Sequence, residues 1–231
     1  MCIRDSSKGG GITISGVNVD ASADLAGDFD VTVTDFDITQ SAAVTVVGMT
    51  TLDAGTGNIN LSGADRSSER TDSTEDTTDS TATGDGFNDN DLGQISAQGN
   101  SVEIVDVNDL NVVSITAVED VFLRTGDTGL SDGTLNLDGN VTTSDPAGQV
   151  LLQSDDGVIQ NAGGITANDL LLGGDAANEE GAGDFNLTGT NQVNNLAASL
   201  DDSLQFTNTT DLEIDTVNLS LIHISEPTRP Y

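Results

Sequence analysis

The sequence predicts an all-β chain built as a β-solenoid, with coils of about 19–20 residues and one acidic disordered insert. Three observations carry this. The first is an alternation written twice: Phe185 and Leu187 flank Asn186, and 19 positions later Leu204 and Phe206 flank Gln205. The same offset carries Thr188 onto Thr207, Asn191 onto Thr210 and Val193 onto Leu212. The second is a seven-residue phrase that occurs as GNINLSG at Gly57–Gly63, GTLNLDG at Gly133–Gly139 and GDFNLTG at Gly183–Gly189. The third is composition: only 35% of the 231 residues are hydrophobic, 3% are aromatic, and Trp is absent. The apolar residues are mostly Val, Ile and Leu among many Thr, Asn, Asp and Gly, a mixture that favours strands and tight turns.

The first coils are expected over residues 9–64. The alternations at Ile12–Ile14, Val17–Val19, Phe29–Val31, Phe36–Ile38 and Val44–Val46 are each a few residues long and need a stack to persist. Asp28 and Asp35 precede two of them, where a carboxylate can accept turn N–H groups. In the seven-residue phrase the apolar pair faces inward and the Asn outward, and the bracketing glycines are free to take φ > 0. Residues 65–91 form the acidic Ser/Thr/Asp-rich insert, extruded from one corner of a coil and almost without apolar side chains. Coils resume over residues 92–219, where Val102 to Val121 is again 19 positions and Val150 to Leu170 is 20. About ten coils at a strand spacing of about 4.8 Å give a rod about 50 Å long.

Residues 1–8 and 220–231 share neither this composition nor this alternation, and are expected to be non-native or disordered tails. MCIRDS and LIHISEPTRPY resemble translated sequencing-adapter read-through at the edges of a metagenomic fragment. Between the tails there is no Cys, His, Tyr or Trp, since Cys2, His223 and Tyr231 all lie within them. Removing Met1–Ser6 and Ser220–Tyr231 takes one acid and one base from each end, so the formal charge of −33 is that of the remainder as well. Such a surface repels nucleic acid and anionic lipid. Cys2 alone builds no disulfide framework, and no apolar run is long enough to span a membrane.

Several stretches, namely AGTGNINLSGA, ISAQGNSVEIVDVNDLNV, GAGDFNLTGTNQVNNLAASLDDSLQFTN and DLEIDTVN, resemble the repeats of filamentous haemagglutinin-like large exoproteins. The resemblance covers most of residues 9–218. It implies a right-handed parallel β-helix, export through an outer-membrane secretion partner or as an autotransporter passenger, and display as an adhesin at the bacterial cell surface. Partners would be glycans or proteins of a host or a neighbouring cell. The acidic insert departs from the compact coils of that family.

No catalytic, cofactor-binding or metal-ligating residue is assigned. A body without His or Cys lacks the means for a nucleophile–base pair. Carboxylate pairs for a polysaccharide-active β-helix lyase or glycosidase are available, and Arg124 would serve a lyase, although a surface Arg that relieves acidic crowding is the simpler reading. Most of the six Phe fit inward or beside turns rather than as sugar platforms. Calcium is the one cofactor candidate: Asp85, Asn88, Asp89 and Asp91 crowd GDGFNDNDLG at Gly84–Gly93, which would make the chain a calcium-responsive surface-layer segment. The EF-hand phrase fails there because Leu92 stands where Gly is required. Sequons at Asn60, Asn140, Asn186, Asn208 and Asn218 follow from the abundance of Asn and Thr. The expectation is a non-catalytic stalk or adhesive segment of a secreted adhesin.

Overall fold

A computed structural model describes residues 2–5, 12–14, 17–19, 27–41, 43–62, 90–126, 133–173 and 183–214. Among these residues there are nineteen strands and no helix. They are β1 (Cys2–Asp5), β2 (Ile12–Ile14), β3 (Val17–Val19), β4 (Phe29–Val33), β5 (Ile38–Gln40), β6 (Val44–Asp53), β7 (Ile59–Leu61), β8 (Asp91–Gly99), β9 (Val102–Asp106) and β10 (Leu110–Ala117). The remainder are β11 (Val121–Thr125), β12 (Leu135–Leu137), β13 (Val141–Thr143), β14 (Gln149–Ser154), β15 (Val158–Gln160), β16 (Ile165–Gly173), β17 (Phe185–Ala198), β18 (Leu204–Asn208) and β19 (Glu213–Ile214).

Every pairing among them is parallel, and the pairings sort into three columns. In the middle column Ile12 pairs with Ile38, Ile38 with Ile59, Ile59 with Val102, Val102 with Val121, Val121 with Val150, Val150 with Leu170, Leu170 with Leu196, and Leu196 with Ile214. A first column precedes it in each level, through β1, β4, the end of β6, β8, the end of β10, β13 and the starts of β16 and of Gln192–Val193. A third follows it: β3 on the start of β6 and β8, then β10, β12, β15, β17 and β18. The middle column therefore has nine stations.

The unit is less regular than 19–20 residues. Val102 to Val121 and Val150 to Leu170 keep the expected steps, but Ile12 to Ile38 is 26 and Val121 to Val150 is 29. Pairing tolerates this because the extra residues fall between strands while the paired segments are mostly two to five residues long. The duplication at the C-terminal end holds for Phe185, Asn186 and Leu187 on Leu204, Gln205 and Phe206. Beyond Leu187 the register slips, and Asn191 pairs with Asn208 rather than Thr210.

Alternation builds the core. A single apolar cluster runs from Ile14 to Leu196 through the inward side chains, with Phe29, Phe185, Ile59, Leu123 and Leu187 among those fully buried or nearly so. Burying each is worth about 1.5–3 kcal/mol. The seven-residue phrase gives the expected buried–partly exposed–buried pattern in β7, in β12 and at the start of β17. Its copies do not share one face: β12 and β17 both pair with β15 in the third column, whereas β7 lies in the middle column between β5 and β9. The phrase encodes a strand with an inward pair, and nothing in it selects a column.

Its glycines serve mainly a different purpose from the one expected. Of the bracketing positions described, only Gly183 has a positive φ, at 74°. Gly57, Gly139 and Gly189 are required because a Cβ there would strike the backbone of the level beneath, at Phe36, Val113 and Gly163 respectively. Stacked corners leave no room for a side chain.

Two boundaries also differ from expectation. Cys2–Asp5, assigned to a tail, pairs in parallel with Asp30–Val33, since the end of a parallel stack presents unpaired N–H and C=O groups that an extended segment can satisfy. Asn90 and Asp91, assigned to the insert, belong to the stack: Asn90 is fully buried and Asp91 begins β8. Residues 63–89 and 215–231, with the insert and the C-terminal tail, lie outside the described residues.

Candidate functional site

The acids at the corners are structural ties between levels. Met49 N–H donates to Asp28 (3.0 Å), Thr56 N–H to Asp35 (3.3 Å) and Asn58 N–H to Asp37 (2.8 Å), each 21 positions away. Thr134 N–H donates to Asp109 and Gln149 N–H to Asp120 in the same way. Asp28 and Asp35 thus accept N–H groups as expected, here from the next level. Asp35 reaches this position with a φ of 61°, unusual for a residue other than glycine. Asp120 is held above the usual carboxylate range by burial, with Glu119 and Asp145 adding to the rise and the Gln149 N–H opposing it.

Inward polar residues line two corners. Between the middle and third columns, Asn90 Oδ1 accepts from Gln40 Nε2 (3.0 Å) and Val44 N–H (2.9 Å), while its Nδ2 donates to Gln40 Oε1, Leu61 O and Val105 O. Between the third column and the next first column, Asn191 Oδ1 accepts from Gln160 Nε2 and Ile165 N–H, and its Nδ2 donates to Gln160 Oε1, Leu187 O and Thr207 O. The same Gln–Asn device is therefore used twice. The alternation pattern does not reveal it, because Asn and Gln at these positions read as turn residues.

Three segments outside the described residues follow strands that end at the corner after the middle column. Segments 63–89, 127–132 and 174–182 follow β7, β11 and β16, three stations of that column with one station, β9 or β14, between each pair. With a strand spacing of about 4.8 Å, exits on alternate levels stand about 10 Å apart. Segment 20–26 leaves from the following corner, after β3.

Beside that corner, three successive levels carry apolar side chains on the outer face of the middle column. Phe122, Leu151 and Leu171 lie directly over one another, with Val105 next to them, in a second small cluster. Phe122 alternates with the core residues Val121 and Leu123 and so faces outward, as the alternation at Val121–Leu123 requires. Arg124 is on the same outer face, between Val105 and Gln153 in the register. It is only 6% exposed, and its Nε is buried without a hydrogen-bond partner. An exposed Arg placed to relieve acidic crowding is not what the structure contains.

Of the calcium candidates, Asp85, Asn88 and Asp89 lie outside the described residues, and Asp91 is an exposed residue at the start of β8. Among the described residues no group of three His, Cys, Asp or Glu could hold a metal ion. Asn60 donates to Glu103 and accepts from Ser62, Asn186 accepts from Thr188, and Asn140 accepts from Gly164 N–H. The Nδ2 of Asn208, to which a glycan would attach, donates to Val193 O and Thr210 O; Asn218 lies outside the described residues.

Residues 9–71 match a family described as repeats of unknown function, DUF5649. The matched stretch runs from before β2 to beyond β7, which covers the stack's first complete steps in the middle column. No curated protein and no solved structure matches the chain. No helix among the described residues is long and apolar enough to cross a membrane.

Proposed function

We propose that the chain is a stretch of right-handed parallel β-helix that forms a non-catalytic stalk or adhesive segment of a secreted, surface-displayed bacterial adhesin. The observation that carries this is the three-column parallel register, in which each level buries its apolar side chains on the next. The hand is the one that parallel crossover connections adopt almost always. A stack of this kind is a quasi-one-dimensional scaffold that supplies reach and stiffness. Variable connections leaving one corner on alternate levels would carry recognition of surface glycans or proteins, on the outside of the cell and after passage through an outer-membrane partner.

The test compares the full chain with a variant lacking residues 65–89 for binding to immobilised glycans and to intact cells. The proposal predicts binding by the full chain, its loss in the variant, and an unchanged strand-dominated circular dichroism spectrum. Sustained cleavage of a polysaccharide, abolished by Arg124→Ala, would replace the adhesin with a polysaccharide-active enzyme. A melting temperature raised by millimolar Ca²⁺ but not by Mg²⁺ would favour a calcium-responsive surface-layer segment instead.

A further inference from the structure

Inside the corner after the middle column, the buried polar side chains Gln40, Asn90, Asp106, Thr125 and Ser154 follow one another from level to level. Gln40 and Asn90 satisfy each other, and Thr125 Oγ1 lies 3.1 Å from Ser154 Oγ, with both hydroxyls donating to Gly133 O. Asp106 between them is the one member that can carry charge. It is fully buried; Leu92 N–H donates to its Oδ2 (2.7 Å) and Asn108 N–H to its Oδ1 (2.9 Å). One level below, an uncharged amide makes a comparable bond, from Val44 N–H to Asn90 Oδ1 (2.9 Å).

The charged groups nearest Asp106 are Asp91 on β8 and Asp109 on the turn before β10, both acids. From β11 the register partner is the neutral Thr125, and Arg124 is on the opposite face of that strand. Among the described residues no cation stands against this carboxyl.

We propose that Asp106 is a proton-operated latch on the start of β8 at Asn90–Leu92: the neutral carboxyl keeps the corner closed, and its ionisation favours an opened corner in which water reaches it. Desolvation drives this. Burial holds Asp106 well above the usual carboxylate range, the N–H groups of Asn108 and Leu92 only partly oppose that, and Asp91 and Asp109 push the same way as burial. Because the folded value is raised, the contribution to stability is complete below the unfolded value of about 3.9. It is lost as pH rises from there through the folded value.

The test is amide hydrogen exchange on the full chain between pH 4 and pH 8, read as the ratio of the protection factors of Leu92 and Ile165, whose N–H donates to the buried amide oxygen of Asn191 (2.9 Å) away from this corner. Each of these N–H groups donates to one buried side-chain oxygen, charged or neutral at Asp106 and always neutral at Asn191, so the ratio cancels global opening. The latch predicts a ratio that falls by up to about tenfold per pH unit until the folded value is passed. In Asp106→Asn it should stay flat. A constant ratio in the unaltered chain, or the same fall in Asp106→Asn, would overturn the proposal; if that variant does not fold, the unaltered chain decides alone.

Discussion

The side-chain amides of Gln160 and Asn191, 31 positions apart, exchange two hydrogen bonds of 2.9 and 3.2 Å inside the stack. Asn191 also ties Ile165, Leu187 and Thr207, so one side chain joins three levels. Asn191→Leu would fill the same space but leave these groups buried and unsatisfied, at about 1–3 kcal/mol each. The expected loss is about 3 kcal/mol or more, seen as a lower urea midpoint. Asn194→Leu, on an exposed position of the same strand, should change it little.

Gly57 is close-packed against the backbone of Phe36, and any Cβ there must displace one level from the next. Gly57→Ala is expected to cost about 1–3 kcal/mol, the usual range for overpacking a site that cannot relax. Thermal melts would check this. Stability equal to or above that of the unaltered chain would mean the levels are further apart at this corner.

Thr50 is fully buried in the first column between Phe29 and Ile95, and its hydroxyl has no hydrogen-bond partner. Thr50→Val keeps the shape and the strand preference while removing an unsatisfied group. A gain of about 1 kcal/mol is expected, measured as a raised urea midpoint.

Asp120 gives a pH prediction independent of Asp106. Burial, together with Glu119 and Asp145, raises its folded value despite the N–H of Gln149. Its contribution is therefore present in acid and lost as pH rises from about 3.9 through the raised value. Asp120→Asn keeps an oxygen for Gln149 N–H and should lessen the fall in melting temperature between pH 4 and pH 7. A steeper fall in the variant would reverse the sign argued here.

Strand identity and inward faces were legible in the sequence because period-2 alternation is a local signal: Phe185 with Leu187, and Val102 with Ile104, are buried as the pattern requires. Register was legible only where two levels are joined without extra residues, as from Phe185 to Leu204. It failed at Asn191, where polar residues of similar kind permit several offsets. The column of each strand was not legible, since GNINLSG and GTLNLDG read alike yet occupy different columns. The Gln–Asn corners, buried Asp106 and the outer cluster at Phe122 escaped for one reason: each depends on what the neighbouring level places opposite, which a single repeat does not record.

The stacked register itself is most directly tested by distances along one outward row of the first column. Thr32, Asp53, Gln98, Thr116, Thr142, Thr166 and Gln192 succeed one another by direct pairing. Spin labels on Thr32→Cys paired with Thr166→Cys or Gln192→Cys, in a Cys2→Ser background, should give pulsed dipolar distances of about 24 and 29 Å, one strand spacing apart. Equal distances for the two pairs, or a broad distribution for both, would contradict the level-by-level stack.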